Sequence, residues 1–227
     1  MIIKENWFYD ISDILDLEIV ISKWITIWIY DSWNVNRKIF LEENSFLDYF
    51  SFLENNDNHK VEFFQNENNS ILNVKYLLFS KNNKFIKSKI YSKISSSYSK
   101  SDVKILSLIW DNWNIDLDWI IEIDSWFEKI KWHLLEENLF LGETWKMKWI
   151  PTLLVRSDDV EASHACRIEK ISDKKLFYLK SRWIDNKNAY LLLLEANIKS
   201  IFSCLSMIDN VFYESLINRI VNSIKEN

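Results

Sequence analysis

Few side chains in this sequence could ligate a metal or act as a nucleophile. The chain has 227 residues, with three histidines and two cysteines. His164 and Cys166 stand two apart in "EASHACRIEK". In a regular strand, residues two apart face the same way, so the imidazole and thiol would share a face. A neutral imidazole beside a thiolate is a donor set suited to iron or zinc. The structural alternatives are a histidine satisfied within its strand and a cysteine serving as a small buried hydrophobe. His133 and His59 are expected to be structural or solvated, His59 in an Asn-rich turn. The pairs Asp158/Asp159 and Glu136/Glu137 have the composition of acid–base carboxylates, but solvated faces are expected for both. No Ser/His/Asp set, C-x-x-C or G-x-x-x-x-G-K-[ST] phosphate loop is found. No catalytic residue is assigned, and the chain is not expected to be an enzyme.

The elements that would position these residues are strands. From about residue 14 to 170, short segments such as "LDLEIVIS", "HKVEFFQ", "ILNVKYLLFS" and "VKILSLIW" are rich in β-branched and aromatic residues and partly alternate. Asn-rich breaks separate them, and Asn tolerates the left-handed backbone that turns require. "SSSYSKSD", Ser95–Asp102, is expected to be a solvated polar loop. After residue 171 the period becomes helical. Ser172 or Asp173 would cap a first helix carrying Leu176, Phe177 and Leu179 on one face. A second would open at Asp185 or Asn186 and run through "IFSCLSMI". A third would show Val211, Leu216, Ile220 and Ile224 as one apolar stripe. The expected organisation is a β core over 1–170 with an irregular N-terminal edge, then a helical segment over 171–227.

Twelve tryptophans stand against one glycine and one proline. Average glycine usage is roughly 7%, and sharp turns need residues that accept positive φ. Substituting Gly for Trp restores ordinary turn text, as in "YDSWNVN", "IWDNWNID" and "KSRWID". This pattern suggests that most of the Trp letters are UGA codons read as Trp on paper and as Gly in the cell, consistent with the Asn-, Lys-, Ile- and Ser-rich composition of an AT-rich genome. Trp7 has the weakest claim to being such a glycine, whereas Trp183 would be a left-handed helix cap. Trp113, Trp119, Trp126 and Trp132 lie six, seven and six residues apart. Read as Gly, they would alternate short strands with tight corners, as a β-solenoid needs. Most tryptophans between 110 and 149 are therefore expected at coil corners. An antiparallel sandwich is the competing fold. If the tryptophans are real, a carbohydrate binder with aromatic platforms is the competing function.

A net charge of −5 and the lack of a basic stripe argue against nucleic-acid binding. The N-terminus lacks the pattern of a signal peptide, and "AYLLLLEA" is too short to span a bilayer. Two cysteines make no disulfide framework. These features predict a cytoplasmic location.

The segment Ile150–Leu205 resembles the C-terminal part of the SufB/SufD family, scaffold subunits of the Suf iron–sulfur cluster assembly system. Asp158-Asp159-Val160 resembles the family's D-D-V segment, and Ser163-His164-Ala165 its small-His-small step. "LFYLKSRW" resembles L-F-Y-L-x-S-R-G-I, with Trp183 at the family's Gly. Ala189 and Leu192 match the start of the next helix. The resemblance implies a right-handed β-helix with a C-terminal helical part on which a SufC-type ABC ATPase docks. It also implies pairing with a SufB-type subunit or a second copy, with iron or an iron–sulfur cluster held transiently near the interface and His164 beside it. Ala165 replaces the Glu that follows this His in SufB-type subunits, and no Cys precedes Cys166. The chain is thus SufD-like and is not expected to ligate a cluster alone. Phe177, Tyr178 and Arg182 are candidate partner anchors, because aromatic and Arg side chains favour interfaces; alternatively, Phe177 packs on the β body. A reduced paralogue that keeps only the pairing and docking surfaces is a further alternative.

Overall fold

A computed structural model of the chain describes residues 1–32, 36–54, 59–79, 85–110, 114–142 and 146–225. Trp33, Trp113 and Trp145 lie outside these, as do the Asn-rich breaks at 55–58 and 80–84.

The β-branched and aromatic segments form fourteen strands in two parallel seven-stranded sheets. The first sheet holds β1 (Ile2–Ile3), β3 (Glu18–Ile21), β5 (Arg37–Leu41), β7 (His59–Gln65), β9 (Phe85–Ile94), β11 (Asn114–Ile123) and β13 (Lys146–Val155). The second holds β2 (Phe8–Asp10), β4 (Thr26–Tyr30), β6 (Phe46–Glu54), β8 (Ile71–Phe79), β10 (Lys100–Ile109), β12 (Ile130–Phe140) and β14 (Val160–Lys170). The chain alternates between the sheets, so each coil lays one strand on each. All neighbours in both sheets are parallel, which makes the body a β-solenoid and not an antiparallel sandwich. Coils lengthen along the axis: Glu18 pairs with Lys38, 20 residues on, and Asn114 with Lys146, 32 residues on.

The interior is a ladder of Ile, Leu, Val and aromatic side chains, including Ile19, Ile39, Val61, Ile90, Val74 and Val103. The outer face of the second sheet is apolar as well, and the C-terminal helices cover it. Helix α2 (Asn186–Phe202) contributes Leu194, Ile198, Ile201 and Phe202, and α4 (Asn210–Lys225) contributes Leu216, Ile217, Ile220 and Ile224. These pack on Phe50, Phe52, Leu77, Leu106 and Leu108, so the helices share a core with the solenoid. Helix α1 (Asp173–Lys180) starts at Ser172, whose hydroxyl accepts from Lys175 N–H, and buries no residue.

Several expectations are corrected. Val211 is 82% exposed, and Tyr213 and Ile217 complete the buried face of α4 in its place. The second helix breaks after Phe202, leaving the short α3 (Leu205–Ile208). Ser95–Asp102 is not a solvated connector. β10 begins at Lys100, and Ser96 and Ser99 are buried, hydrogen-bonded to each other at 2.7 Å and to Gln65 and Ser70.

The corners are regular without glycine. Trp24, Asn44, Asn69, Tyr98 and Lys129 all have φ between 55° and 63°. Each lies two residues before a register-matched strand position: Thr26, Phe46, Ile71, Lys100 and Lys131. The N–H groups of the first four donate to Glu43, Asn68, Ser97 and Glu128 on the next coil. Trp126 (φ 74°) sits at another corner and Trp183 (φ 65°) follows α1, and these two side chains are almost fully exposed. Trp119 and Trp132 depart from the expectation. They lie within β11 and β12, fill the solenoid interior, and leave both indole N–H groups without a hydrogen-bond acceptor. The six-to-seven-residue step is therefore not a corner period, since one coil holds Trp119 in a strand, Trp126 at a corner and Trp132 in the next strand.

Candidate functional site at the open end of the solenoid

The second sheet ends at β14 and the first at β13. Within β12, Ile130, Trp132, Leu134, Glu136, Asn138 and Phe140 are buried on the interior side. β14 pairs with β12 in parallel register, His164 beside Leu134, Cys166 beside Glu136 and Ile168 beside Asn138. The structure thus brings His164 and Cys166 onto one face, the interior face of the last coil, where the solenoid opens to solvent.

Glu136 joins them. It is 1% exposed, and its Oε2 lies 3.3 Å from His164 Nε2. Cys166 lies beside Glu136 in the strand register, and Asn138 Nδ2 donates to Cys166 Sγ at 3.6 Å. Asn138 is 2% exposed, and its Oδ1 has no partner among the described residues. Burial pushes the Glu136 carboxyl up, and His164 and Cys166 partly offset that rise. Burial and the neighbouring Glu136 charge push the Cys166 thiol up in turn. His, Cys and Glu are suitable donors for iron or zinc. Even so, no three His, Cys, Asp or Glu residues among those described are arranged to hold a metal by themselves. The cluster amounts to a partial donor set facing outward.

The expectation of a solvated Glu136 is therefore corrected, and its role was missed. The signal was present in the sequence: counting by twos from Trp132 and Leu134 puts Glu136 on the apolar face of β12. Glu137, on the other face, is ion-paired to Lys104 and Arg167. Asp158 and Asp159 are exposed. His133 Nδ1 meets Ser163 Oγ at 2.7 Å, on the side away from the interior. His59 is not in a solvated turn. It begins β7, is 2% exposed, and meets Ser88 Oγ at 3.2 Å. The α1 residues Phe177 and Tyr178 are 74% and 58% exposed, with Arg182 over the Tyr178 ring at 5.5 Å. Phe177 does not pack on the β body. Trp119 and Trp132 are buried, so neither offers a platform to a sugar. Among the described residues, no helix is long and apolar enough to cross a membrane.

Fold and site together define a parallel β-solenoid with a helical cover on one sheet and a polar donor cluster at its uncapped end. A sequence model described as "SUF system FeS cluster assembly, SufBD core domain" matches residues 25–197, more than half of the chain. The chain belongs to the SufBD family. It is 23% identical over 131 residues to the iron–sulfur cluster assembly protein SufD of Escherichia coli, covering 58% of this chain and 31% of that protein. It is also 32% identical over 72 residues to an iron–sulfur cluster assembly SufBD family protein of Pyrococcus horikoshii, covering 32% of this chain and 16% of that protein. The chain thus matches less than a third of the length of each of these relatives.

Proposed function

We propose that this chain is a SufD-like, non-enzymatic scaffold subunit of a cytoplasmic iron–sulfur cluster assembly complex. It pairs through its open end with a SufB-type subunit or a second copy of itself, and α1 docks an ABC-type ATPase. Iron or a nascent cluster is the cargo, held transiently at the paired end with His164 among its contacts.

The observation that carries this proposal is the state of the last coil. β13 and β14 are 10 and 11 residues long, and each has an edge with no neighbouring strand among the described residues. Edges of that length recruit other strands unless they are covered. Their apolar residues Leu153, Val155 and Ile168 are 45%, 41% and 52% exposed. A second solenoid placed end to end would cover them and bring further donors to the partial set at His164. The exposed aromatic pair on α1 supports the docking assignment, because aromatic side chains of this kind are favoured anchors at protein interfaces.

The test is reconstitution with the ATPase and SufB-type subunit of the same genome, followed by cluster transfer to an acceptor apoprotein. His164→Ala should slow transfer at least about tenfold. An unchanged rate removes the site assignment.

We further propose that Trp24, Trp126 and Trp183 stand where the natural protein has Gly, through reassigned UGA codons. Support comes from the backbone, because all three adopt left-handed φ. Trp183 occupies the left-handed position of a Schellman cap, with Ile184 N–H on Leu179 C=O and Trp183 N–H on Lys180 C=O. Intact mass of the protein from its native host tests this: three Trp-to-Gly differences support it, and a mass matching the written sequence refutes it.

A further inference from the structure

We propose that Glu136 is the positioning residue of this site: its buried carboxylate holds the proton of His164 on Nε2 and so leaves Nδ1 as the metal-binding nitrogen. The proposal rests on the view that His164 faces a metal.

The argument starts from where Glu136 sits. Its register-matched predecessors along the second sheet are Ile105, Tyr76 and Ser51. The structure therefore accepts an apolar side chain at this place one coil earlier. A buried carboxylate is costly unless it is paired and hydrogen-bonded. Among the described residues, the only ion-pairing partner recorded for Glu136 is His164, and no Lys or Arg reaches it. As a structural element it would be a poor substitute for the isoleucine.

The geometry supplies a different role. In its ionised form the carboxylate can only accept, and the 3.3 Å contact then places the proton on Nε2. A neutral imidazole then has its lone pair on Nδ1. Metal-ligating histidines generally use one ring nitrogen for the metal and the other for a carboxylate, which fixes tautomer and ring orientation. Glu136 is the register neighbour of Cys166, and the orphaned Oδ1 of buried Asn138 shows that the polarity of this pocket is not fully met among the described residues.

The experiment uses the full chain, in whatever complex it purifies with, uniformly labelled in its three histidines. Nitrogen-15 NMR of the metal-free protein should show His164 as the Nε2–H tautomer, and added Zn2+ should shift the Nδ1 signal. Glu136→Leu should keep the unfolding midpoint, lose the fixed tautomer, and weaken Zn2+ binding about ten- to a hundredfold. Glu136→Gln, which retains an acceptor oxygen, should restore part of the loss. If His164 takes Zn2+ on Nδ1 equally well in Glu136→Leu, the positioning role is overturned while the metal assignment stands. If His164 in the wild type does not respond to Zn2+, both fail.

Discussion

At the scale of single residues, the solenoid interior contains charges that the ladder of isoleucines would not suggest. Arg37 and Asp31 are each 1% exposed and bonded at 2.5 Å, with Arg37 also donating to the carbonyls of Asp16 and Ile11 and Tyr49 donating to Asp31. Removing one partner strands the other in low dielectric. Arg37→Met should therefore cost about 3–5 kcal/mol in urea denaturation, and the double change with Asp31→Leu should recover much of that. His59 is held neutral nearby: burial, reinforced by the Arg37 charge, lowers its pKa to about 3. A lowered histidine pKa means that the unfolded chain binds the proton more readily than the folded one. The His59 contribution is complete above the unfolded value near 6.5 and is lost as pH falls from there toward 3. The denaturation midpoint should drop between pH 7 and pH 4, and His59→Asn should flatten that drop. An identical slope in the variant would contradict the assignment.

At the scale of elements, the corners decide how much indole the fold tolerates. A left-handed backbone costs a residue with a Cβ about 1–2 kcal/mol. Trp126→Gly and Trp183→Gly should therefore each raise stability by about 1 kcal/mol, read from the denaturation midpoint. Trp119→Gly should lower it by about 3–5 kcal/mol, because a filled interior becomes a cavity. If all three changes act alike, the division between corner and interior is wrong. The same division explains what could be read from sequence. Strand texture, the Asn turn at Asn69, and the caps at Ser172 and Asp185 are local, and local chemistry showed them. Which tryptophans turn outward depends on sheet register, and register is set by neighbours one coil away. Glu136 was misread for the same reason: its side of β12 follows from alternation, but its burial comes from β14 and from the coil before it. Val211 departs from the expected stripe because it faces outward on the first turn of α4, where its neighbour Phe212 packs on Phe8 and Tyr30 instead.

At the scale of the whole molecule, the two sheets differ in how their outer faces are finished. Helices α2 and α4 cover the second, whereas the first carries a solvated charge ladder in which Lys93 and Arg156 flank Glu122 and Asp124. Such ladders pair successive coils and keep that face from recruiting partners. The end of the axis has no comparable protection, and there the apolar interior of β13 and β14 meets solvent beside His164, Cys166 and Glu136. The most direct test is the mass in solution, by light scattering, of the chain co-expressed with a SufB-type subunit of its own genome. We expect a stable pair of solenoids, and we expect Leu153→Lys with Ile168→Lys to release monomers whose circular dichroism is unchanged. A wild-type chain that stays monomeric with that subunit present, or a doubly substituted chain that still pairs, would contradict the open end as the assembly surface.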